Sequence, residues 1–148
     1  MVVNLDSTAK FAGWEVHSFG LPANNRDFSA GNVLLNTAIR VDGKLILHDR
    51  LKIDSLQQGR VSGLRGYRVF GSFVVYSDRV NQAMLDSLKT VQAESGIAGV
   101  SRVESGLLIA RYLGDSTEHG RAYFRRLWQL LRPPALGLSA CAPRIWST

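Results

Sequence analysis

The sequence holds a single cysteine, Cys141, among its 148 residues. An internal disulfide is therefore impossible, and a zinc site built from CxxC pairs is excluded with it. A reducing compartment fits such a chain. Long apolar runs are missing too, since no stretch approaches the roughly 20 apolar residues that span a bilayer as a helix. The opening MVVNLDSTAKFAG has neither the basic region nor the apolar run of a secretory leader. These shortages lead us to expect a soluble, cytoplasmic protein. Histidine is scarce: His17, His48 and His119 stand far apart and follow neither HExxH nor another short ligand spacing. His48 adjoins Asp49, but neighbours on a strand point to opposite faces, so the two are not expected to meet. No GxSxG elbow places a serine for nucleophilic work, and GLRGYRVFG precedes a strand where a phosphate loop would open a helix. Cys141 lies in a Pro-flanked tail without signs of thiolate activation. A hydrolase would need a clustered site that these residues do not form, and we expect no enzyme.

What is present is one core's worth of apolar residues and an excess of positive charge. At 45% hydrophobic composition the chain is expected to form a single domain over residues 1–148. The net charge of +6 points to an acidic partner, whether nucleic acid, anionic membrane or protein. Arg121, Arg125 and Arg132 fall within about 40° of one another on a helix, bordering Trp128. This basic stripe with an aromatic edge is a candidate partner-binding surface. A basic nucleic-acid-binding domain is the alternative reading, weakened by the lack of a basic run or of an aromatic strand of the RNA-recognition type.

The pattern along the chain is β-rich. Val2 to Val16 reads as strand, SFGLPANNRDFSAG as loop, and residues 33–53 as a hairpin turning on Asp42-Gly43, a dipeptide suited to positive φ. The return strand uses Leu45, Leu47, Leu51 and Ile53. After the Gly-rich GRVSGLRG comes VFGSFVVY, a buried strand by its length and β-branching. A first helix is predicted from Asp78 to Glu94, with Ser77 as N-cap, Gly96 past its end, and a buried face of Val80, Met84, Leu88 and Val91. GIAGVSRVESGLLIARYLG predicts a second hairpin at Ser105-Gly106. A second helix is predicted to start at Asp115 with Glu118 completing a capping box, to bury Tyr123, Phe124, Leu127, Leu130 and Leu131, and to stop at Pro133-Pro134.

The chain then closes on LRPPALGLSACAPRIWST, with a tryptophan three places from the end, where most chains fray. Docking of this tail, with Pro143, Arg144 and Trp146 as a structural anchor, is the simplest physical use of such an ending. Leu131-Arg132-Pro133, Gly137 and the final Pro143-Arg144-Ile145-Trp146 resemble the closing signature of the urease accessory proteins called UreD, or UreH in some bacteria. RYLGDST at 111–117, the Gly63–Gly71 segment and the GWE element at 13–15 are similar to that family in the same order, with Leu21 where arginine is frequent.

The resemblance implies a β-rich α+β fold of antiparallel or helical-sheet strands with two helices toward the C-terminus. It implies that the chain corresponds to the C-terminal part of a longer protein, and that alone it would be poorly soluble and would not support urease activation unless the N-terminal half is supplied in trans. It further implies a non-enzymatic scaffold that binds UreF, UreG and the urease apoprotein during nickel incorporation, with nickel in transit and no tightly bound cofactor. On that reading Glu15, an acid in an apolar strand, and His17 on the same strand face are candidates for lining a nickel route.

Overall fold

A computed structural model of the chain describes residues 1–21, 26–56, 58–104 and 106–147, with the backbone alone for Ile145 and Ser147. Seven strands form two sheets. One sheet contains β1 (Val2–Leu5), β3 (Asn32–Val41) and β4 (Lys44–Asp54) in the order β1-β3-β4. The other contains β2 (Phe11–Ser18), β5 (Val69–Tyr76), β6 (Ile97–Glu104) and β7 (Leu107–Gly114) in the order β2-β5-β7-β6. Every pairing is antiparallel except β1 with β3. The helices α1 (Gln82–Lys89) and α2 (Thr117–Leu131) complete the β-rich α+β fold expected from the sequence.

The layers follow from side-chain alternation. Val74, Leu107 and Ile109 point from the second sheet toward Ile39 and Leu47 of the first, and Phe73, Val75, Leu108, Ala110 and Tyr112 point the other way, into the helices. β5 is covered on both faces, which explains why VFGSFVVY is an unbroken apolar run and not an alternating one. Gly71 on this strand lies under the Phe124 ring, and a Cβ there would come within 2.6 Å of the ring edge. A third cluster, Phe19, Ile53 and Leu64, closes one end, so the GRVSGLRG link contributes a buried Leu64 to the core.

Several local expectations hold. The β3–β4 hairpin turns on Asp42 and Gly43 with φ of 48° and 77°, and Gly106 with φ 80° lies in the β6–β7 connection. Ser105 and the loop residues Pro22, Asn24 and Asn25 lie outside the described residues. Leu45 is 45% exposed because a register shift beside Arg40 turns it outward, while Ile46 packs inward.

Others are corrected. Val2–Val16 is two strands in different sheets, broken by a turn in which Asp6 accepts hydrogen bonds from the Thr8 amide and hydroxyl. The first helix is shorter at both ends. Asn81, not Ser77, caps it by accepting from the Met84 amide at 3.0 Å. Ser77 is buried, and its hydroxyl donates to the Ala135 carbonyl 58 residues away. At the other end the chain leaves the helix at Thr90, and Gly96 leads directly into β6. The second helix is capped by Ser116, which accepts from the His119 amide, while Asp115 accepts from the Arg68 amide. The two prolines do not end the helical path. They carry it through a wide π-helical turn, Arg132–Leu136, that ends at Gly137 with φ 71°. Proline lacks the amide for the ordinary helical bond, and the wider turn accommodates that loss.

Candidate functional site

The strand β2 presents two chemically different faces. Among the described residues it pairs with β5 alone, so its outer side lies at the margin of the sheet. Ala12, Trp14 and Val16 point toward the helices, and Phe11 points toward the first sheet. By the same alternation Glu15 and His17 share the face of Phe11.

On the helical side, three tryptophans meet. The Trp146 ring centroid is 4.6 Å from that of Trp14 and 4.9 Å from that of Trp128. Trp14 continues the cluster edge-on to Phe73 at 5.3 Å. The tail reaches this position through a short 3-10 turn, Arg144–Ser147, with the Trp146 amide bonded to the Pro143 carbonyl. Arg125 donates to the Trp146 carbonyl at 3.3 Å. Trp146 is half-buried, whereas Pro143 and Arg144 are exposed, so of the three expected anchor residues it is the indole that packs against the core.

The arginine stripe looks different in three dimensions. Arg121 is exposed and Arg125 half-buried, but Trp128 is only 5% exposed. The Arg132 guanidinium lies over the Trp128 ring at 4.7 Å from its centroid, where the cation and the ring face attract. The expected aromatic edge is therefore committed to the core, and it is Leu130, expected inside, that is 48% exposed. The buried arc of the helix includes Trp128, against which the Trp146 ring packs edge-on. No stacking platform for a base is left at this position.

On the other side of β2, Glu15 and His17 lie with Oε2 and Nε2 3.8 Å apart, each about one-third exposed. Glu15 is in register with Ser72, and Ser72 with Arg111, so one row crosses β2, β5 and β7. Arg111 donates to the Ser72 hydroxyl and, at 2.6 Å, to Asp49 of the opposite sheet. It also lies 5.7 Å above the Phe70 ring. Burial lowers the Arg111 pKa, and the Asp49 charge opposes that shift. The two sheets are thus tied by a charged bond beside the Glu15–His17 pair. Asp49 turns inward to make it, while His48 turns outward to Asn36 at 3.1 Å, so the adjacent pair does not meet. Sequence reasoning weighed Asp49 only beside His48 and missed its pairing with Arg111 and the role of Ser72, residues that lie far apart along the chain. The only signal was the appearance of an arginine and a serine in otherwise apolar strands.

Among the described residues, no group of three or more His, Cys, Asp or Glu side chains gathers to hold a metal ion, and no helix is long and apolar enough to cross a membrane. Glu15 and His17 offer two donors, enough for a weak contact with a divalent cation.

The family model described as UreD urease accessory protein matches residues 1–147. The chain belongs to the UreD family. Urease accessory protein UreD of Azoarcus sp. (strain BH72) is 36% identical over 149 residues, covering 99% of this chain and 52% of the relative. Those of Nitrosococcus oceani and Aliivibrio fischeri (strain MJ11) are 34% and 35% identical, again over 99% of the chain and 49% and 54% of the relative. The chain spans about half the length of the curated UreD relatives it matches. Trp14 and Trp146, the two rings in contact, come from the GWE element and the closing signature that carried the family resemblance in the sequence.

Proposed function

We propose that the chain acts in urease maturation as a non-enzymatic scaffold, contacting the urease apoprotein, UreF and UreG, and that nickel passes along the β2 face bearing Glu15 and His17. Membership of the UreD family supports the maturation role, because its curated relatives are named urease accessory proteins. The observation that carries the nickel route is the carboxylate and imidazole 3.8 Å apart at the margin between the two sheets. Nickel is cargo on this reading, so a strong site would be a defect. Two donors bind a cation weakly, and the guanidinium in the same strand row opposes its retention. The Arg111–Asp49 bond holds the sheets at a fixed separation beside the route.

The test is genetic and analytical. Glu15→Ala and His17→Ala, made in a full-length protein in cells lacking their own accessory gene, are expected to lower the nickel content of purified urease without lowering the amount of accessory protein. Unchanged nickel content in both variants removes the route. Urease that matures fully when the accessory protein is absent removes the scaffold role.

A further inference from the structure

The first sheet turns one face to the core and the other to solvent. On the solvent face, the register aligns Leu34 with Lys52, Asn36 with Arg50 and Ala38 with His48, and the shifted end of the hairpin aligns Arg40 with Leu45. β1 adds Val2 beside Ala38 and Asn4 beside Arg40. Three fixed cations, Arg40, Arg50 and Lys52, therefore share this face, with no carboxylate between the Leu34–Lys52 row and the Asn4–Arg40 row. At the rim, Asp54 is engaged, accepting from the Leu56 amide at 3.0 Å. Asp49, the acid within the strand, points inward to Arg111. Asp49 is in register with the buried Thr37, so strand alternation places this acid on the inner face and leaves none between these rows of cations.

The same face carries apolar side chains that the fold leaves uncovered. Val2 is 62% exposed, Leu34 55% and Leu45 45%. Leu34 also borders a depression of ≈ 430 Å³ lined by Asn32, Val33, Arg50 and Lys52. We propose that this sheet face docks a protein surface rich in carboxylates around one protruding apolar side chain. The apolar group fills the depression beside Leu34, and the carboxylates meet Arg50, Lys52 and Arg40. Two features favour a protein over other anions. Among the described residues, the face carries no aromatic ring on which a nucleic-acid base would stack. The polar Asn36–Arg50 row separates Leu34 from Val2 and Leu45, whereas a bilayer surface rewards a continuous apolar ridge. This surface lies on the opposite side of the molecule's layers from the α2 arginines, so it is a second region of contact.

The experiment measures binding of the full 148-residue chain to purified UreF, UreG and urease apoprotein, a choice of probes that rests on the proposed function above. In parallel it uses a fluorescent peptide of alternating glutamate and leucine, vesicles containing phosphatidylserine, and a DNA duplex. The variant Arg50→Glu/Lys52→Glu alters two exposed side chains, and its melting temperature is compared with the wild type. Expected results are loss of peptide binding, about tenfold or more weakening toward at least one of the three proteins, and a steeper salt dependence in the wild type than in the variant. The proposal is overturned if the wild type does not bind the peptide, if the variant binds it equally well, or if the reversal affects only vesicles or duplex. It is equally overturned if the proteins bind wild type and variant alike. If none of the three proteins binds the wild type, the maturation reading fails, and the peptide still decides whether the face takes an acidic protein surface.

Discussion

Replacing Trp146 by alanine tests whether the tail is part of the folded core. The indole contacts Trp14 and Trp128 at centroid separations of 4.6 and 4.9 Å, and removing it also uncovers part of both partners. A fully buried aromatic truncated to alanine costs about 3–5 kcal/mol. Trp146 is half-buried, so roughly half of that applies, and releasing the tail returns some conformational entropy. The net expectation is a loss of about 2 kcal/mol, which for a chain of this size lowers Tm by roughly 4–8 °C. Urea and thermal melts followed by circular dichroism measure it, with Trp128→Ala as the reference for a buried ring in the same cluster. The ring contact itself is isolated by a double-mutant cycle of Trp14→Ala and Trp146→Ala, with an expected coupling of about 0.5–1.5 kcal/mol. If deleting the last five residues leaves Tm unchanged, or if the two substitutions add without coupling, the docked tail contributes nothing and the argument from ring geometry is refuted.

Asp49→Ala leaves the Arg111 guanidinium without its partner across the sheets. With both side chains about one-third exposed, the expected loss is about 1–2 kcal/mol, below the cost of a fully buried pair. Asp49→Leu combined with Arg111→Met should recover part of that stability in urea melts, and strict additivity of the two changes would contradict a direct pairing. Burial pushes the Tyr123 phenol up to about 12 from 10.0, so the neutral form is favoured in the folded state. Its contribution to stability is complete below pH 10 and is lost as pH rises toward 12. Tyr123→Phe should flatten the decline of stability over that window, and equal alkaline slopes in variant and wild type would show that Tyr123 is not its source.

Where the sequence was legible, the signal was local. Asp42-Gly43 demanded a turn with positive φ, and the chain makes one there. VFGSFVVY could only be a strand covered on both sides, and the spacing of Tyr123, Phe124, Leu127 and Leu131 required a helix with one buried arc. The GWE element, RYLGDST and the closing PRIW were enough to place the chain in its family, because those segments are continuous and their order along the chain is itself information. The helix ends were less legible because several residues nearby were chemically able to cap. Ser77 and Asn81 can both accept an amide, and the choice fell to Asn81 once Ser77 was claimed by Ala135.

The rest depended on which surfaces the layers bring together. Nothing near Asp49 in the chain announces Arg111, 62 residues away; alternation turns the acid inward, and only the packing of the two sheets supplies the cation it meets there. Trp128 has the helical position of a boundary residue, yet it is buried, with Trp146 folded back against it. Glu15 and His17 share a strand face by alternation alone, but whether that face met helices or the other sheet was decided by the packing of Trp14 on the helical side. Periodicity says which side chains point together. Only the packing of the layers decides what they point at.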